Sequence, residues 1–218
     1  MDPKTGALQT SYDRIAKEYA DRFFDELAHK PLDRALLTCF AELVQGNGPV
    51  ADIGCGPGQI ARYLHERSLP VLGIDLSPAM VALAQWLTPQ VTFRQGTMLD
   101  LDVAAASWGG ITAFYSIIHP APEEVPAALR EFHRVLRPDG LLLLAFHVGD
   151  DHVHLDEWWD QSVDLDFHFY QRQTIEEHLE AAGFELEASL ERRPYTPFEH
   201  PSQRAYLLAR KPRTRAEF

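Results

Sequence analysis

VADIGCGPGQIARYL, residues 50–64, opens with an apolar run ending at Asp52 and crosses a loop carrying Gly54, Gly56 and Gly58. It passes into a helical pattern at about Gln59. A strand, a tight glycine turn and a helix start form the layout that brings backbone N–H groups against a ligand. Glycine serves there because a Cβ disfavours positive φ and holds a ligand away from the main chain. A second apolar run, VLGID, ends in Asp75, where a carboxylate reaches both hydroxyls of a ribose lying across the turn.

Outward from this stretch, strand-like runs at 49–53, 71–75, 91–95, 111–115 and 141–146 alternate with helix-like segments at 59–67, 78–87 and 125–136. Ser77 is the expected N-cap of the second of these helices, with Pro78 in its first turn. Pro138-Asp139-Gly140 reads as the turn between the third helix and the next strand. The alternation predicts an α/β fold, a mostly parallel sheet with helices on both faces.

Residues 11–44 read as helical with a break at Lys30-Pro31. Tyr12, Ile15, Tyr19 and Phe23 recur at helical spacing and offer a lid over the sheet. Residues 149–170 are acidic, rich in His and aromatics, and show no clean period. This stretch reads as an insertion over an acceptor pocket, with Trp158, Trp159, Phe167 and Phe169 as apolar walls. Thr174 and Glu177 form an expected capping box for a short helix closed by Gly183. The runs 184–192 and 205–210 stand too close for a crossover helix and predict an antiparallel pair.

The 218 residues are 45% hydrophobic and 24% charged, with a formal net charge of −12, which fits one globular domain. Its expected parts are a helical lid (1–45), a cofactor-binding core (46–148), an acceptor-side insertion (149–172) and a C-terminal helix with antiparallel strands (173–212). The acidic balance lacks the basic face that nucleic acid or an anionic membrane surface requires. The basic stretch 210–215 reads as a solvated tail. Cys39 and Cys55 make no metal or disulfide pattern, and MDPKTGALQTSYDR has no apolar signal core, so a cytoplasmic protein is expected. Asp150, Asp151, His152, His154 and Asp156 hold a His-x-His pair without a second ligand set, and no metal is expected. A homodimer is the base-rate expectation.

Two cofactor classes use a glycine turn with a distal carboxylate. A dinucleotide site favours G-x-G-x-x-G and a pyrophosphate at the helix start, where Asp52 would repel it. Asp52 instead suits a nucleoside carrying an ammonium or sulfonium charge.

At this level the sequence resembles the class I S-adenosylmethionine-dependent methyltransferases. The resemblance rests on VADIGCGPGQIARYL, GIDLSPAM, FRQGTMLDL and FHRVLRPDGLLLLAF, in order and at proper spacing. It implies a Rossmann-like seven-stranded sheet ending in the antiparallel pair, S-adenosylmethionine as donor, and transfer to a small-molecule acceptor by in-line displacement. It assigns Asp52 and the backbone of Gly54, Cys55, Gly56 and Gly58 to the methionine part, and Asp75 to the ribose. Leu76, Thr97 and Met98 would flank the adenine, with Tyr19 and Met80 beside the cofactor and Phe114 and Tyr115 at the reacting methyl. Many members have Asp where Thr97 stands, and an Asp where Gly110 opens the fourth strand. His119 and His147 are the candidate general bases, with Tyr115 as a further candidate catalytic group. The sequence carries no Asn-Pro-Pro-Tyr signature of amino-group methylation on bases or glutamine. A nicotinamide-dependent oxidoreductase and a non-catalytic cofactor-binding regulator stand as the alternatives.

Overall fold

A computed structural model describes residues 3–213 of the chain. In order, the helices are α1 (Pro3–Phe23), α2 (Pro31–Val44), α3 (Gln59–His65), α4 (Pro78–Leu87), α5 (Val125–Val135) and α6 (Arg172–Ala181). The strands are β1 (Val50–Ile53), β2 (Val71–Asp75), β3 (Thr92–Gln95), β4 (Trp108–Phe114), β5 (Leu136–Val148), β6 (His152–Trp158), β7 (Gln161–His168), β8 (Glu185–Arg192) and β9 (Gln203–Arg210).

Seven strands form one sheet in the order β3-β2-β1-β4-β5-β9-β8. The first five run parallel; β9 joins β5 antiparallel, and β8 joins β9 antiparallel. This is the expected Rossmann-like sheet with its closing pair. Central strands read as continuous apolar runs because helices cover both faces; β1 is buried at every position. Strand order reverses between β1 and β4, so a crevice opens beyond their C-terminal ends.

Apart from shifts of a few residues at element ends, the structure departs from the sequence reading in four places. First, α1 begins at Pro3, well before residue 11. Second, Pro138-Asp139-Gly140 is absorbed into a long β5 as an irregularity, with Asp139 at φ +63° and a register shift opposite Trp108 and Gly110. Third, α6 starts at Arg172 after Gln171, so Thr174 and Glu177 lie inside the helix and form no capping box. Fourth, residues 149–170 are not irregular: β6 and β7 form a two-stranded antiparallel hairpin. Its turn residues Trp159 and Asp160 take φ +53° and +60° without a glycine, which hid the hairpin from turn chemistry.

Other expectations hold. Ser77 Oγ accepts the Met80 N–H at 3.1 Å as N-cap of α4. Gly183 closes α6 at φ +93°. A Cβ at Gly110 would stand 2.7 Å from Phe40 Cζ, so the strand has no room there for the Asp usual in the family the sequence resembles. The basic tail is more tied than a solvated end. Arg210 pairs with Glu187, Arg213 with Asp139, and Lys211 Nζ donates to the His133 and Leu136 carbonyls at 2.7 and 2.8 Å. Residues 214–215 of that tail lie outside the described residues. No helix among the described residues is long and apolar enough to cross a membrane.

α1 crosses the open end of the sheet and is fastened at both sides. Asp13 Oδ1 accepts the Ser77 hydroxyl at 2.5 Å and the Ala79 N–H at 3.1 Å, joining α1 to the start of α4. Ser11 Oγ accepts the Asp164 N–H at 2.8 Å, and Arg14 donates to the Ser162 carbonyl at 3.0 Å, joining α1 to β7. Ile15 packs with Val163 and Leu165 beneath the same crossing.

Candidate functional site

The loop after β1 is built by its glycines. Gly54, Gly56 and Gly58 have φ of +69°, +52° and +89°. A Cβ at Gly54 would meet Ser116 Cβ at 2.3 Å, and one at Gly58 would meet Phe93 Cζ at 2.7 Å. At Gly56 the nearest atom would be Tyr19 Cε1 at 3.8 Å, leaving that backbone open toward α1.

Two carboxylates hold the loop. Asp52 is 1% exposed; its Oδ1 accepts the Thr112 hydroxyl at 2.9 Å and its Oδ2 accepts the Ala61 N–H at 3.2 Å. Burial pushes its carboxyl up to about 7. Asp75 Oδ2 accepts the Gly56 N–H at 2.8 Å and its Oδ1 accepts the Ser77 N–H at 2.9 Å. Burial raises it to about 6, against the pull of those backbone bonds.

A cavity of about 580 Å³ runs from this loop beneath α1 to the β6–β7 hairpin. That volume lies in the range of roughly 300–1,000 Å³ usual for small-molecule sites. Tyr19, Gly54, Gly56, Asp75, Leu76 and Met80 line the loop end. Thr97, Met98, Phe114, Tyr115, His119 and His147 line the remaining wall. Asp52, Cys55 and Gly58 are not on that wall. Asp52 fastens β1, β4 and α3 behind the loop, while Cys55 is buried in the cluster with Ala61, Ala84 and Phe93.

Both candidate bases are weakened imidazoles. His119 Nδ1 faces the Asp166 carbonyl at 3.0 Å, an acceptor only, so Nδ1 carries the proton. Its Nε2 therefore accepts the Tyr12 hydroxyl at 2.8 Å. Burial lowers the ring to about 4. His147 hydrogen-bonds Ser202 Oγ through Nδ1 at 2.8 Å and stacks on Phe169. Burial, then the positive charge of Arg204, lowers it to about 3. Tyr115 sits at φ +54°, and its hydroxyl stands 3.2 Å from that of Tyr206, which donates to Asp33 at 2.9 Å. Tyr115 thus turns its hydroxyl into the protein, and burial pushes it up to about 12.

Sequence reading missed three groups. Gln59, the first residue of α3, donates from Nε2 to Glu26 at 3.1 Å, while its buried Oε1 has no hydrogen-bond donor among the described residues. Ser116 Oγ, beside Gly54, is likewise buried without a partner among them. Farther along the cavity Lys30, Asp33, Arg192, Glu199 and Arg204 form a buried ionic network. Arg192 bridges Asp33 and Glu199 at 2.8 and 2.6 Å. Its members come from opposite ends of the chain, so no local motif announces them.

A glycine loop at the switch point of such a sheet, with Asp75 across it, defines an α/β fold for a nucleoside-bearing cofactor. The orphaned Gln59 acceptor and the open Gly56 backbone fit the cationic amino-acid end of S-adenosylmethionine. A methyltransferase-domain family model matches residues 50–140. An uncharacterized methyltransferase of Oceanobacillus iheyensis is 24% identical over 164 residues, 75% of this chain and 68% of its own length. The 2-phytyl-1,4-naphtoquinone methyltransferase of Thermosynechococcus vestitus is 32% identical over 141 residues, 61% of each chain. The chain thus spans about two thirds or less of the length of these curated relatives. The crystal structure of Burkholderia thailandensis 1,6-didemethyltoxoflavin-N1-methyltransferase, solved with S-adenosylhomocysteine, shares the fold at a TM-score of 0.71 and 23% identity, covering 95% of this chain and 88% of that one. Residues 50–140 thus match a methyltransferase domain, the relatives are methyltransferases, and the fold is the one shared by solved S-adenosylmethionine-dependent methyltransferases, which supports S-adenosylmethionine as the cofactor.

Proposed function

We propose that this protein methylates a small organic molecule held beneath α1 and the β6–β7 hairpin. The observation carrying this reading is the single cavity that joins the glycine loop to an aromatic wall at Trp158, Phe167 and Phe169. When bound, S-adenosylmethionine supplies a methyl group on a sulfonium centre, which an acceptor displaces in line.

The chain's own residues position and enclose. Asp75 receives the ribose hydroxyls, while Gln59 Oε1 and the Gly54–Gly56 backbone receive the methionine end. Leu76, Thr97 and Met98 flank the base. Phe114 and Tyr115 border the reacting centre, and Tyr12, with α1 above it, excludes water. Holding two reactants aligned provides effective molarities on the order of 10⁵ M or more, so a strong protein base is not required. His119 and His147, lowered to about 4 and about 3, are poor proton acceptors at neutral pH. We assign them to the wall of the acceptor site, with residues 3–45 as its lid and 149–172 as its acceptor side. The named acceptors of the Thermosynechococcus relative and the Burkholderia neighbour are small organic molecules, which supports the substrate class. Two free cysteines and an acidic surface suit a reducing cytoplasm.

Calorimetry with S-adenosylhomocysteine, followed by a donor-consumption screen against pools of small molecules, tests the proposal. Binding together with turnover on a pool member is expected. Binding with no consumption in any pool would favour a cofactor-binding regulator, and tight NAD binding without S-adenosylhomocysteine binding would favour the oxidoreductase.

A further inference from the structure

The hairpin carries a feature that methyl transfer does not use. His152 lies opposite His168 in the β6–β7 register, and His154 lies opposite Asp166. Successive strand residues alternate faces, so these four side chains share one face while Val153, Leu155, Leu165 and Phe167 take the other. His152 Nε2 stands 2.8 Å from Asp166 Oδ1, and the His152 and His168 rings stack with centroids 4.6 Å apart. One ligand atom from each of His152, Asp166 and His168 lies within 4.8 Å of the others.

We propose that His152, Asp166 and His168 form a binding site for a divalent first-row transition metal of the zinc type. Ligands 2.0–2.1 Å from a tetrahedral ion stand about 3.4 Å apart, so modest χ rotations of the half-exposed rings close the set. Two imidazoles and one carboxylate select such a metal over calcium or magnesium, which prefer all-oxygen ligands. His154 Nδ1 hydrogen-bonds the same Asp166 Oδ1 at 2.9 Å, and its Nε2 contacts Asp156 at 3.1 Å. His154 is therefore a positioning residue for the ligating carboxylate, the outer-shell arrangement common around protein metal sites. The His-x-His pair looked incomplete in sequence because the second ligand set comes from the facing strand, sixteen positions along from His152 in the case of His168.

The site also touches the cavity. The Asp166 backbone carbonyl accepts His119 Nδ1–H at 3.0 Å, so a metal that fixes Asp166 fixes the hairpin that roofs the acceptor end. The proposal concerns metal binding and hairpin order, and stands whether or not the methyl-transfer reading does.

The test is titration of the chelator-stripped full chain with zinc chloride by calorimetry, beside His152→Ala/His168→Ala, Asp166→Asn and His154→Ala. One ion per chain is expected. The double variant and Asp166→Asn should lose at least about 100-fold in affinity, and His154→Ala about 10–100-fold. Cobalt substitution should give the visible bands of a low-symmetry four-coordinate ion in wild type and not in the double variant or Asp166→Asn. Amides of β6 and β7 should exchange more slowly with zinc bound. Circular dichroism identifies a variant that has not folded, and Asp166→Asn, the smallest change, then carries the comparison. Equal affinity in wild type and folded variants, or the absence of one-to-one binding by wild type, would overturn the proposal.

Discussion

The Tyr12 hydroxyl donates to His119 Nε2 across 2.8 Å, linking α1 to the loop after β4. The bond occupies the one lone pair through which His119 could act as a base. Tyr12→Phe leaves that nitrogen buried without a donor, a loss of about 1–3 kcal/mol. A lower Tm and faster cofactor release in stopped-flow measurements are expected. His119→Ala should likewise change cofactor release more than turnover. A fall in kcat of about 10²-fold or more with cofactor affinity intact would restore His119 as the base.

In the proposed ribose-binding role Asp75 acts as an ionised acceptor for two hydroxyls, and burial raises it to about 6. Protonation replaces an acceptor with a donor, so S-adenosylhomocysteine affinity should be steady above that value and weaken as pH falls through it. Asp75→Ala removes the acceptor and also frees the Gly56 and Ser77 amides, with an expected affinity loss of about 100-fold or more. Calorimetry across pH 5–8 on wild type and Asp75→Asn checks this; an unchanged slope in Asp75→Asn would assign the titration elsewhere.

Gly54 cannot carry a side chain. A Cβ there meets Ser116 Cβ at 2.3 Å with φ at +69°. Gly54→Ala should destabilise the fold by about 1–3 kcal/mol and reduce cofactor binding at 25 °C. Gly56→Ala, with open space around its Cβ, should cost less stability and act mainly on affinity. Thermal melts with and without S-adenosylhomocysteine separate the two effects.

Trp158 lines the cavity, whereas Trp159, stacked on Trp158, is not on its wall and backs Tyr19 and Phe23, which are. Trp158→Ala should raise acceptor KM with cofactor Kd unchanged. Trp159→Ala should loosen α1 and raise cofactor Kd. Equal effects of both variants on acceptor KM would argue for a general hydrophobic cap.

Asp13 ties α1 to the start of α4 through one oxygen shared by Ser77 and Ala79. Asp13→Ala should cost about 1–2 kcal/mol of stability and speed cofactor release several-fold. Unchanged release kinetics would remove α1 from the gating step.

Much of the sheet was legible because each parallel strand is a short apolar run bounded by glycine or proline, and each intervening helix has its own period. The glycine loop after β1 was legible too, since its glycines announce positive φ locally. The hairpin was not: one face is His and Asp, the other is Val153, Leu155, Leu165 and Phe167, and its turn is Trp159-Asp160 at positive φ without a glycine. Asp52 shows a different limit. Its carboxylate was read as facing the ligand, yet Thr112 and Ala61, brought to it by folding, engage both oxygens behind the loop.

Residues 50–64, with Asp75, fixed the cofactor class within the sequence, because close backbone approach and ribose recognition depend on residue type at short spacing. The far end of the cavity was decided by tertiary structure alone. Tyr12 meets His119, Asp166 meets His152, and Lys30 meets Glu199 across separations that no local pattern encodes. Their protonation states follow from burial and from neighbours that exist only in the folded chain, so the weak basicity of His119 and His147 could not be read from the residues themselves.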